Sequence, residues 1–108
     1  ARRCVVPSPG FFEWDAAKQR FFFTLPGGPA LYMAGLWTLR NGFPCYTILT
    51  TAANASMQPV HDRMPVVLTH STLRPWLEDA SATADILHAI PPELHAAAAD
   101  GGTQLRLW

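Results

Sequence analysis

His61, Asp62 and Arg63 stand in a row between two prolines, Pro59 and Pro65. A side-chain type that titrates near neutrality, a carboxylate and a guanidinium are thereby crowded into one short segment. His61 can take or give a proton at physiological pH, or it can be a structural histidine hydrogen-bonded in a turn. Arg63 carries a planar fork able to bind two phosphate oxygens at once, or it can pair with Asp62 or Glu13. Asp62 is expected to orient a neighbour or to cap the turn. Thr50 and Asn54, just upstream, could orient a ligand or satisfy the turn's backbone groups. A second candidate lies in Phe11-Phe12-Glu13-Trp14. A carboxylate among large aromatics is partly desolvated and so suited to holding a proton; alternatively, Glu13 faces solvent on an alternating strand. His70, His88 and His95 lack such company and read as surface or helix residues. A glutamate with a histidine in a β-rich pocket suggests a hydrolase or lyase. No Gly-x-Ser-x-Gly elbow, Walker loop, His-Glu-x-x-His string or Cys-x-x-Cys pair supports a familiar class.

These residues need elements to hold them. Pro59 and Pro65 each remove a backbone donor and bias the preceding residue towards extended backbone, so the loop between them should be rigid. It is entered from a β-rich run over residues 45–51 through a polar-to-helical segment, residues 52–58, and left through a strand over residues 65–69. Upstream, strands are predicted over residues 2–6, 11–14 and 21–25, with turns at 7–10, 15–20 and 26–29. Residues 30–39 form a long, almost continuously apolar strand, expected to be buried on both faces. Gly35 within it signals a bulge or a close backbone approach. Trp37 is either a core residue or a platform for stacking bases. Residues 40–44 read as a hairpin turn. After residue 70 the pattern becomes helical. One helix covers residues 71–78, capped by Ser71 with Pro75 in its first turn. Another opens at Ser81 or Thr83, with Ile86, Leu87 and Ile90 on one face. Pro91-Pro92 interrupts it. An Ala-rich helical piece follows over residues 93–99, ended by Gly101-Gly102, and residues 105–108 read as a short strand or an apolar tail.

A chain of 108 residues corresponds to one domain or part of one. Its 49% hydrophobic content is enough for a real core, and no internal repeat or long linker divides it. No apolar run approaches the roughly 20 residues needed to span a bilayer. The first residues hold no signal-like stretch, so a cytoplasmic location is expected. Cys4 and Cys45 do not make a disulfide framework. Zero net charge argues against a simple basic nucleic-acid binder. The charge is uneven, however. Up to residue 75 there are seven basic residues against three acidic ones, and beyond it one against five. Such a basic front could hold a phosphate backbone, or it could be ordinary sampling in a small chain.

The string His61-Asp62-Arg63-Met64-Pro65, preceded by Thr50-Thr51-Ala52-Ala53-Asn54, resembles the SRAP family, the SOS-response-associated peptidase domain. Arg3-Cys4-Val5-Val6-Pro7 is similar to that family's Arg-Cys-Leu-Val-Pro. Gly10-Phe11-Phe12-Glu13-Trp14 is similar to its Gly-Phe-Tyr-Glu-Trp, and Ala34-Gly35-Leu36-Trp37 to its Ala-Gly-Leu-Trp/Tyr strand. Four strings in the right order cover roughly the first seventy residues; the tail after Trp76 matches much less. The resemblance implies an α+β fold: a strongly bent, mainly antiparallel sheet or open barrel with peripheral helices. It implies binding of single-stranded DNA carrying abasic sites and covalent capture of the ring-opened sugar as a thiazolidine. The attacking cysteine is at the mature N-terminus, exposed by autoproteolytic removal of the initiator Met. Glu13 and His61 match the family's proton carriers. Arg63 matches a DNA-backbone contact, with Trp14, Trp37, Thr50 and Asn54 as further DNA-side candidates. No metal, small-molecule cofactor or membrane partner is implied. The family's opening Met-Cys-Gly-Arg and the next segment, which supplies a catalytic Asn, are missing from residues 1–108. The chain is therefore expected to be a single partial domain, the back portion of the family's fold. Cys4 matches a strand cysteine rather than the nucleophile, and neither Cys4 nor Cys45 is assigned a catalytic role. The alternative is a non-catalytic single-stranded-DNA-binding or structural fragment.

Overall fold

The computed structural model describes residues 2–28 and 30–99. Five strands come first: β1 (Arg2–Ser8), β2 (Phe11–Trp14), β3 (Arg20–Thr24), β4 (Leu31–Arg40) and β5 (Phe43–Ile48). Three short ones follow, β6 (Thr50–Ala52), β7 (Arg63–Pro65) and β8 (Val67–Leu68). Then come helix α1 (Leu73–Glu78), a single 3-10 turn at Ala80–Ala82, helix α2 (Thr83–His88) and β9 (His95–Ala98). The class is α+β, and every pairing among the described strands is antiparallel.

The strands form three sheets rather than one. In the first, β4 is central, with β1 on one side, β5 on the other and β8 against Tyr32 and Met33. The β4–β5 turn is Asn41-Gly42, with φ of 52° and 80°. Positive φ at both central residues is what a two-residue turn matched to strand twist requires. Gly35 answers to close approach and not to a bulge, because the register runs unbroken through it to Cys4 and Ile48. A Cβ there would lie 3.0 Å from the Thr47 carbonyl oxygen and 3.1 Å from Cys4 Sγ. The second sheet is β2-β3-β9, and the third is the β6–β7 hairpin.

Alternation along β4 gives the first sheet two apolar faces. Leu31 and Met33 join Phe23, Met57, Met64 and Val67 in one core, which the β2-β3-β9 sheet covers. Ala34 on the opposite face joins Val66, Leu68, Trp76 and Ile86 in a second core, beneath the helices. Trp76 fastens that helical layer: its Nε1–H donates to the Cys4 carbonyl at 2.9 Å, and Arg3 donates to the Trp76 carbonyl. Asp79 caps the 3-10 turn, and hydrogen bonds from the Ser81 hydroxyl and N–H hold its carboxyl below the usual range.

Several sequence-based expectations change. Residues 93–99 are not helical: β9 pairs with β3 from Phe21↔Ala98 to Thr24↔His95. Alanine's helix preference is a few tenths of a kcal/mol per residue, too weak to outweigh satisfying the open edge of β3. The run 45–51 breaks at Leu49. There the Leu49 N–H donates to the Ala34 carbonyl, Ala34 N–H to Val66 and Val66 N–H to Leu49, at 2.9–3.0 Å. This ring of backbone bonds makes the chain change sheets. It also makes Arg63–Pro65 a strand where a loop was expected, and splits residues 65–69 around Val66. Strand β4 is buried only towards its start; from Thr38 to its end it is exposed, because the hairpin tip extends past both cores. Ser71 does not cap α1; Thr72 holds the cap position, with its hydroxyl accepting from Thr69 N–H instead. Ile90 lies beyond α2 and is 84% exposed. The expected end at Gly101-Gly102 and the strand or tail at 105–108 lie outside the described residues.

Candidate functional site

The connection of residues 53–62 closes the β6–β7 hairpin, and its conformation follows from a few bonds. Ala53 N–H donates to the Asp62 carbonyl at 3.0 Å, sealing the neck. The Asn54 carbonyl accepts from Met57 and Gln58, and the Met57 carbonyl accepts from Val60 and His61. Two successive turns therefore carry the chain to His61. Met57, fully buried, and Val60, half-buried, anchor them in the first core.

His61 is left outside, its side chain 43% exposed. Arg63 N–H donates to His61 Nδ1 at 3.2 Å. That bond requires a lone pair on Nδ1, so the neutral ring carries its proton on Nε2. Asp62 Oδ1 lies 3.4 Å from the same Nδ1 and becomes its acceptor when the ring is protonated. The Arg63 side chain pairs with neither Asp62 nor Glu13. Its Nη2 donates to the Thr50 carbonyl at 2.9 Å and to Thr50 Oγ1 at 3.1 Å. Thr50 thus fixes where the guanidinium sits.

Asn54 is 8% exposed, and its amide is fully engaged within the chain. Nδ2 donates to the carbonyls of Pro91 (2.9 Å) and Pro92 (3.0 Å). Oδ1 accepts from Ser56 N–H at 3.1 Å and from Ser56 Oγ at 2.6 Å. A cleft of about 630 Å³ runs alongside, lined by Asn54, Gln58, His88, Ile90 and Glu93 among others.

Glu13 sits on β2 opposite Phe21. Paired residues share a face and neighbours alternate. Glu13 is therefore on the side of its sheet that holds Phe11, Phe21 and Phe23, facing the first core. It is half-buried, and its Oε1 accepts from Trp14 N–H at 3.4 Å. That core also holds Val60, the residue before His61, so the β2 strand of Glu13 and the connection that carries His61 pack on one apolar cluster. Trp14 points the other way: it is 50% exposed and shares its face with Phe12 and Arg20, whose guanidinium lies 4.6 Å from the Phe12 ring centroid. Trp37 lies on the same face of β4 as Met33, half-buried beneath the Arg2 guanidinium at 5.3 Å and beside a cleft of about 280 Å³.

Sequence reasoning passed over Ser56, the carbonyls of Pro91 and Pro92, and Arg2. The Asn-x-Ser spacing is an Asx-turn signal. A Pro-Pro pair, which cannot continue a helix, leaves carbonyls open to outside donors. Nothing local shows that the two segments meet.

An antiparallel α+β protein with a histidine–arginine hairpin beside an aromatic sheet is the class defined so far. Residues 1–100 match the family described as SOS response associated peptidase, and the chain belongs to that SRAP family. It is 33% identical over 99 residues to YoaM of Bacillus subtilis (strain 168), which is named an abasic site processing protein; the match covers 83% of this chain and 44% of YoaM. It is 32% identical over 119 residues to HMCES of Xenopus tropicalis, named likewise, covering 84% of this chain and 36% of HMCES. The chain thus spans less than half the length of these curated relatives. A crystal structure of a Bordetella bronchiseptica protein superposes with a TM-score of 0.81 at 30% identity, over 92% of this chain and 55% of that one. Another, from Bacteroides thetaiotaomicron, gives 0.80 at 26% identity, over 96% and 52%.

Proposed function

We propose that the protein containing this chain binds single-stranded DNA at abasic sites and captures the ring-opened sugar through an N-terminal cysteine. Family membership and relatives named for abasic-site processing support the substrate class. The observation that carries the chemistry is the bond from Arg63 N–H to His61 Nδ1, which engages Nδ1 and leaves Nε2 of the exposed ring as the nitrogen that meets a substrate. With the ring protonated and its Nδ1–H turned to Asp62 Oδ1, the imidazolium can give its Nε2 proton to the sugar ring oxygen while the hydroxyl at the anomeric carbon loses its proton to water, giving the aldehyde. A free α-amine then attacks the aldehyde carbon and water leaves, forming an imine. The thiol sulfur adds to the imine carbon, the nitrogen gains a proton, and a thiazolidine closes. Glu13, half-buried among phenylalanines, is suited to move protons in these steps and in removal of the initiator Met. Arg63 would meet a backbone phosphate, with Thr50 holding its fork. Trp14 and Trp37 offer rings to bases. The nucleophile comes from a segment outside residues 1–108, since Cys4 lies within β1 and Cys45 within β5.

The test uses the product of the whole gene and a single-stranded oligonucleotide with one abasic site. A retarded band that survives denaturation is expected, and His61→Ala should slow its appearance by about 10²-fold while leaving native binding within about twofold. Native binding without any such band would favour the alternative, a non-catalytic DNA-binding module.

A further inference from the structure

Asn54 is 8% exposed, and its hydrogen bonds all run within the chain. We infer that Asn54, with Ser56, is a positioning residue: it sets the orientation of His61 by locking the turn beneath it onto residues 91–94. The inference rests on the reading of His61 as a proton carrier.

The connections are continuous. Asn54 Nδ2 spans the carbonyls of Pro91 and Pro92. Asn54 Oδ1 accepts from the Ser56 hydroxyl, and that hydroxyl accepts from Leu94 N–H at 3.0 Å. Ser56 N–H is shared between Asn54 Oδ1 and, at 3.2 Å, Glu93 Oε2. Only backbone bonds separate this clamp from His61: the Asn54 carbonyl holds Met57 N–H, and the Met57 carbonyl holds His61 N–H. Met57 and Leu94 are both buried in the first core, so the turn is gripped from below by apolar packing and from the side by the clamp. The chemistry selects the residue. Two carbonyl oxygens on one side and two donors on the other need a group with two N–H donors and an acceptor. Aspartate would place an oxygen against two carbonyls. A proton carrier must be held within a fraction of an ångström by such supporting bonds to work efficiently.

The experiment uses the whole gene product labelled with 15N-histidine, comparing wild type, Ser56→Ala, Ser56→Thr and His61→Ala. In the wild type, neutral His61 should show one tautomer, with the proton on Nε2. Ser56→Ala removes the hydroxyl that joins Asn54 to Leu94. It should raise Leu94 amide exchange about tenfold, mix the His61 tautomers, and slow capture about tenfold with DNA affinity unchanged. Ser56→Thr, which keeps the hydroxyl, should restore all three. If Ser56→Ala fails to fold, Glu93→Ala at an exposed position removes one acceptor of Ser56 N–H and should move the same readouts in the same direction. Faster Leu94 exchange with an unaltered His61 tautomer and capture pH profile would overturn the inference and leave a local brace. Wild-type capture by His61→Ala, with the tautomer still shifted in Ser56→Ala, would support the clamp and remove the proton-carrier reading instead.

Discussion

Arg63 engages Thr50 through one terminal nitrogen, so the rest of its fork faces outward. A phosphate bound there would release counterions. Arg63→Ala should therefore weaken single-stranded DNA binding and reduce the slope of log K against log salt by about 0.7. An unaltered slope in a titration across salt concentrations would mean that no phosphate contacts this side chain. The two thiols differ in the same local way. Burial beside Gly35 pushes the Cys4 thiol above its ordinary value, whereas Cys45 is exposed on β5. A raised pKa means less thiolate at any given pH, and thiolate is the reactive form. Iodoacetamide at pH 8 should modify Cys45 first, with Cys4 gaining as the pH rises; equal rates by mass spectrometry would show that Cys4 is unshielded.

The elements are held by a few close approaches. Gly10 lies where a Cβ would stand 2.4 Å from the Phe23 backbone oxygen and 2.6 Å from the Phe22 ring. Backbone cannot swing aside as a side-chain tip can, so Gly10→Ala should cost about 1–3 kcal/mol, read as a lower urea midpoint. An unchanged midpoint would mean that the entry to β2 is loosely packed. Some elements were legible in sequence because their cause is local. Asn41-Gly42 announces its turn, and the aromatic run at residues 11–14 announces a strand. Strand β9 was not legible. Its alanines favour a helix, and only the unsatisfied edge of β3, more than seventy residues away in sequence, makes them a strand.

At the scale of the molecule, the helical layer hangs on Trp76, 1% exposed and bonded to β1 through Cys4 and Arg3. Trp76→Ala should lower stability by about 3–5 kcal/mol in equilibrium unfolding; a loss below about 1 kcal/mol would mean that the second core does not hold the helices. The uneven charge is also reshaped by folding. Arg3 stacks 5.7 Å from the Trp76 ring centroid, Arg20 lies over Phe12, and Arg74 Nε approaches Glu78 at 3.8 Å. Arg2, Lys18, Arg40, Arg63 and Arg74 are the exposed cations of the basic front.

Residue types and spacing were enough to single out Glu13, His61 and Arg63, to place most strands and to bring the family into view, because motif chemistry and strand alternation are short-range. The partner of Arg63, the tautomer of His61, and the engagement of Asn54 with Pro91 and Pro92 were decided by tertiary structure. Each depends on which backbone groups remain unpaired once the sheets have formed, and those groups belong to segments that meet only in the folded chain.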